Sequence, residues 1–180
     1  MKKKILIIAM ALALVSVIAM PMAAFAEDST VTGQQGVSIN ISVPASVAFG
    51  TFSSVNGPNS SNQSITVNTT GTWQIQVKDA MDTFGSVAKP AGSGGKMVEA
   101  SGTDYITPSP KILTNALVID ASSVGGVSVT LSASDQALFS GQLAYSGTKS
   151  IAFRQTTAYD PALPAGNSYR IVVTFTASAT

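Results

Sequence analysis

SYRIVVTFTASA, running from Ser168 to Ala179, alternates along its whole length. Tyr169, Ile171, Val173, Phe175 and Ala177 fall on one side; Arg170, Val172, Thr174, Thr176 and Ser178 fall on the other. Successive side chains of an extended chain point to opposite faces. A run this rich in β-branched and aromatic residues therefore predicts a strand with one buried face. Such a strand needs cover, and the chain upstream offers more strands. Val37, Ile39, Ile41 and Val43 alternate with Ser38, Asn40 and Ser42 until Pro44, which has no N–H to pair. Ile65 and Val67 repeat the pattern, as do Trp73, Ile75 and Val77, and the turn Thr69-Thr70-Gly71 between them predicts a hairpin. Val127, Val129 and Leu131 alternate again, and so do Ile151 and Phe153 within Lys149–Gln155.

The segments between these runs are read from their turn chemistry. Asn56 to Asn62 reads as a loop, and Ser134 to Leu143 as a helical turn or crossover. Asp79 to Thr107 is the least regular stretch: its centre, Lys89 to Gly95, reads as a flexible loop and Lys96 to Glu99 as a short edge strand. With about eight strands and no long helical period, the expected fold is all-β: an antiparallel two-sheet β-sandwich, Ig-like or jelly-roll-like, formed as a single domain by residues 37–180.

Residues 1–26 have the layout of a signal peptide. Lys2, Lys3 and Lys4 precede an apolar run from Ile5 to Met20, and Ala24-Phe25-Ala26 forms the cleavage site, placing the cut between Ala26 and Glu27. Residues 27–36 read as a flexible N-terminal arm whose Thr30-Val31-Thr32 can pair with a sheet edge. The expected product is secreted and extracellular or at the cell surface, in contact with a membrane only through an uncleaved leader. The leader holds three of the ten basic residues, so nine acidic residues face seven basic ones after it, and no basic patch is left for nucleic acid. Only 11% of the chain is charged, which makes the surface hydroxyl-rich rather than ionic.

The chain has no histidine and no cysteine, which excludes Ser-His-Asp and Cys-His catalysis and the usual zinc sites. The remaining carboxylates are scattered, so the expectation is a protein that is not an enzyme and carries no cofactor or metal. Asp79 and Asp82 form a close acidic pair and read as a solvated loop, lacking the ligand spacing of a calcium loop. Gly92-Ser93-Gly94-Gly95-Lys96 fails as a phosphate loop, with Pro90 where the first glycine belongs and Met97 in place of Ser or Thr. Trp73 lies in phase with aliphatic neighbours and belongs to the core. Tyr105 and Tyr159, read as loop residues, are the candidate ligand contacts. Asn40, Asn59, Asn62 and Asn68 head N-x-S/T sequons and are the candidate glycosylation sites.

Two stretches carry a family resemblance. ISVPASVAFGTFSSV and SITVNTTGTWQIQV, over residues 41–77, look like the opening of exported Ig-like modules. FRQ at 153–155 and YDPALPAGNSYRIVVTFTASA at 159–179 resemble the closing hairpin of cell-surface sandwiches of methanogenic archaea and Gram-positive bacteria, some of them similar to WxL-type domains. The Trp-x-Leu motif itself is absent near the C-terminus, so no family site residue carries over. Pattern and resemblance together imply a non-catalytic structural or adhesive β-sandwich that self-assembles by strand addition or binds other surface proteins or cell-wall polymer. The alternative is a carbohydrate- or ligand-binding module that uses its loop aromatics.

Overall fold

The computed structural model describes residues 36–52 and 57–179. The leader, the cleavage position at Ala26 and Glu27, and the arm up to residue 35 lie outside the described residues. The described chain is all-β and its strand pairs are antiparallel, with one 3-10 turn, Ser122–Val124, and no α-helix among these residues.

Four short sheets hold thirteen strands among the described residues, against the eight or so expected. The largest sheet has five, in the order β1 (Ile39–Ser42), β2 (Gly57–Thr69), β11 (Tyr145–Thr157), β8 (Val118–Asp120) and β9 (Ser128–Thr130). A second has β10 (Gln136–Gln142), β3 (Trp73–Asp79) and β13 (Val173–Ala179). A third has β12 (Asn167–Arg170), β6 (Val98–Ser101) and β7 (Asp104–Tyr105), and β4 (Thr83–Phe84) pairs with β5 (Val87–Ala88). The extra strands are two to four residues long and come mostly from Asp79–Thr107, where runs this short leave no readable alternation.

The alternating runs bury most of the faces their pattern predicts, though Val37, Val43 and Val127, at the ends of their runs, are exposed. Ile65 and Val67 of β2, Trp73, Ile75 and Val77 of β3, Ile119 of β8, Val129 of β9, Phe139 of β10, and Ile151 and Phe153 of β11 join one core cluster. That cluster draws on both the five-stranded and the β10-β3-β13 sheet. Each fully buried aliphatic or aromatic side chain contributes about 1.5–3 kcal/mol. Trp73 is 1% exposed and its Nε1 donates to the Leu143 carbonyl at 2.7 Å, so the indole buries its ring without orphaning its polar atom.

Several expectations are corrected. The terminal stretch is two strands in different sheets: β12 pairs with β6, and after a break at Ile171-Val172, β13 pairs with β3. The predicted hairpin of Gln63–Asn68 with Trp73–Lys78 does not form, because β2 pairs with β1 and β11 while β3 pairs with β10 and β13. Alternation fixes which face is apolar but leaves open whether consecutive strands pair or arch into separate sheets. Here Thr70 N–H bonds back to the Ser38 carbonyl at 3.3 Å, and the arch feeds both apolar faces into one cluster. Most of the expected loop at 56–62 belongs to β2, whose pairing with β11 extends from Gly57 to Thr69. Most of Ser134–Leu143 is the strand β10 (Gln136–Gln142) rather than a helical turn. The short strand expected at Lys96–Glu99 starts at Val98 and is the central strand of its sheet, not an edge.

Candidate functional site

Asp79 closes β3 in phase with Trp73, Ile75 and Val77, so its carboxylate points inward and is 1% exposed. An unpaired buried charge is prohibitive, and Lys89, just past β5, answers it. Its Nζ forms an ion pair with Asp79 Oδ2, and both side chains are wholly buried. The lysine is held there by its backbone N–H, which donates to the Asp82 carbonyl at 2.9 Å. Asp79 Oδ2 also accepts the Gly95 N–H at 2.7 Å, and Oδ1 accepts the Met81 N–H at 3.0 Å. Met81 takes φ 47, a left-handed conformation rare outside glycine, to complete that turn. Gly95 has φ +80, and a Cβ there would sit 1.9 Å from the Leu131 carbonyl oxygen, so only glycine lets this backbone reach the carboxylate.

A second pair adjoins the first. Arg170 Nη1 donates to Asp82 Oδ2 at 2.6 Å and to the Tyr105 hydroxyl oxygen at 3.0 Å, while that hydroxyl donates to Asp82 Oδ1 at 2.7 Å. The guanidinium carbon lies 4.0 Å from the Phe84 ring centroid, a cation–π contact. Burial pushes the Lys89 ammonium below the usual lysine value, against the pull of Asp79. Burial also pushes the Asp82 carboxyl up, but the bonds from Arg170 and Tyr105 outweigh it and hold it below the usual carboxylate value. The Tyr105 phenol is pushed up, by burial and then by its bond to Asp82.

All four oxygens of Asp79 and Asp82 are thus engaged within the protein. The solvated acidic loop expected from the sequence is instead a bonded network, wholly buried at Asp79 and Lys89 and partly buried at Asp82 and Arg170. The glycine-rich segment is likewise packed rather than flexible: Ser93 is 0% exposed and Gly95 is buried. The sequence carried a usable signal at Asp79, a charge in the inward phase of an otherwise apolar strand face. Arg170 had none, since Asp82 lies 88 positions away, and Lys89 had none because its segment, rich in glycine and proline, shows no periodicity to mark its inward turn toward Asp79, ten positions upstream.

The candidate ligand tyrosines part company. Tyr105 lies in β7, buried and bonded to Asp82 and Arg170, so it offers no stacking surface. Tyr159 is 76% exposed. Near it, a cleft of about 640 Å³ is lined by Phe49, Phe52, Pro161, Leu163, Pro164 and Tyr169.

Three of the four sequon asparagines gather on one surface. Asn40, Asn62 and Asn68 are exposed on the outward side of β1 and β2, with Asn40 directly opposite Asn68, while Asn59 is half-buried. The same side carries Ser42, Ser64 and Thr66, and β11 extends it with Ser146, Thr148 and Ser150 in register. Ser146 Oγ donates to Asn68 Oδ1 at 2.8 Å, and the hydroxyls of Thr66 and Thr148 are 3.4 Å apart. The result is a lattice of hydroxyls and amides over three strands, with charge entering only where Arg154 of β11, in the same phase, pairs with Asp120 of β8.

No family model, curated protein or solved structure matches the chain.

Proposed function

We propose that the chain is an exported cell-surface protein whose sheets pack as a β-sandwich and which acts by contact, as a structural or adhesive module, without catalysis. The observation that carries this reading is the hydroxyl and amide patch that Asn40, Ser42, Ser64, Thr66, Asn68, Ser146, Thr148 and Ser150 form across β1, β2 and β11. A sheet face of Asn, Ser and Thr presents donors and acceptors at strand spacing with a smaller desolvation penalty than charged groups carry, which suits a polyhydroxyl cell-wall polymer, a neighbouring surface protein or another copy of the chain. The leader read from residues 1–26 supplies the route to that location, with Ala26 and Glu27 flanking the cut. The arm at 27–36 supplies a strand for assembly. The test combines surface proteolysis of intact cells with binding of purified protein to isolated cell wall. The reading predicts a surface-accessible product starting at Glu27 and wall binding weakened at least tenfold by Thr66→Arg with Thr148→Glu. An intracellular product keeping its leader, or wall binding indifferent to that face, would overturn it.

A second reading rests on the cleft between Phe49, Phe52 and Tyr169, with Tyr159 exposed beside it: a carbohydrate-binding module. Saturable glycan binding lost in Tyr159→Ala or Phe52→Ala, and untouched by the Thr66 and Thr148 changes, would select it.

A further inference from the structure

We propose that Lys89 and Asp79 condense into an intramolecular amide, a covalent staple closing the segment from the end of β3 to the residue after β5. The observations are the contact of Nζ with Asp79 Oδ2, the complete burial of both side chains, and two backbone N–H groups fixed on the carboxylate.

The reaction balances without any co-reactant. The ammonium passes one proton to Oδ2, leaving a neutral amine beside a neutral carboxyl group. The amine lone pair attacks Cγ, the Nζ–Cγ bond forms, and charge gathers on Oδ1, where the Met81 N–H stands as donor. A second proton moves from nitrogen to Oδ2, the Cγ–Oδ2 bond breaks, and the oxygen leaves as water with both protons. One N–H remains on the amide.

Three features drive the condensation. Holding amine and carboxyl in contact makes the step unimolecular, with effective molarities of about 10⁵–10⁸ M for well-oriented groups. Burial disfavours the ion pair, because two charges taken out of water are poorly repaid by their mutual attraction, and the amide removes both. Burial likewise lowers the lysine's affinity for its proton, supplying the neutral nucleophile. The exposed pair Lys78–Asp135, at 3.2 Å, lacks this environment and stays ionic. In a chain without cysteine, such a bond supplies the cross-link a disulfide would otherwise give.

The test is the mass of one peptide. Trypsin cuts after Lys78 and Lys96 but not between Lys89 and Pro90, so digestion of the full-length protein releases residues 79–96 intact. The amide predicts a peptide lighter by one water, no backbone fragments separating Asp79 from Lys89, and a Lys89 amine that an acylating reagent cannot label in unfolded protein. In Lys89→Met the peptide has the full mass expected from its sequence. A linear wild-type peptide of full mass would overturn the proposal. So would a dehydrated peptide whose Lys89 can still be acylated, since that marks a cyclic imide at an aspartate instead. The wild-type digest decides the question even if the variant fails to fold.

Discussion

Arg170 and Asp82, 88 positions apart in sequence, are joined by a 2.6 Å bond from Nη1 to Oδ2, and Phe84 stacks beneath the guanidinium. The contact fastens the point where the terminal stretch changes sheets to the loop that leaves β3.

Arg170→Met removes that fastening and leaves Asp82 with Tyr105 as its remaining side-chain donor. The expected loss is about 2–3 kcal/mol, within the range for breaking a partly buried charged hydrogen bond. It is read as a lower urea midpoint. Arg170→Lys should recover little of it, because an ammonium lacks the planar face that lies on Phe84.

Acid stability follows from the same pair. Asp82 is held below its ordinary value despite burial, so the unfolded chain binds protons first as pH falls. Its stabilisation is therefore complete above the unfolded pKa and is lost as pH drops through the folded one. Glu99 and Asp160 act in the same direction: burial pushes each up, but Lys111 N–H and Asn167 outweigh it for Glu99, and the Ala158 and Thr114 N–H groups for Asp160. Unfolding midpoints should stay level near neutrality and fall below about pH 4. Arg170→Met should show a shallower fall, and an equally steep one would count against the assignment.

Val173 and Thr174 lie on opposite sides of β13. Val173 packs against the core and is paired in register with buried Asp79, whereas Thr174 is paired with Lys78. Val173→Asp buries an unpaired carboxylate at the core edge next to Asp79 and should cost about 3 kcal/mol or more. Thr174→Asp faces a cation and should change stability by less than about 0.5 kcal/mol. Equal losses of soluble yield and melting temperature would refute this arrangement of faces.

Gly95 and Gly92 share positive φ, +80 and +79, but differ in surroundings. Gly92→Ala meets no atom within 4 Å and should cost about 1 kcal/mol of backbone strain. Gly95→Ala collides with the Leu131 carbonyl and displaces the N–H that holds Asp79, so it should cost several times as much. Thermal melts of the two variants make the comparison, and equal melting temperatures would show that the glycine-rich segment is not packed as described.

The alternating residues determined much by themselves. The all-β class and the inward faces at Trp73, Ile75, Val77, Ile151 and Phe153 follow from a period of two, which is a local property of the chain. Locality is also where the sequence stopped informing. Whether Asn68 and Trp73 bound a hairpin or an arch, and where the run from Ser168 to Ala179 changes sheets, depends on pairing partners far away in sequence, and alternation looks the same in either case. The polar interior lay further out of reach. Asp79 betrays itself by its phase, but Lys89 sits among glycines and prolines that read as open loop, and Arg170 has the outward phase of its run. Only tertiary structure brings Lys89, Arg170 and Tyr105 to the two aspartates, because burial of a charge is decided by the partner that meets it and not by its neighbours in the chain.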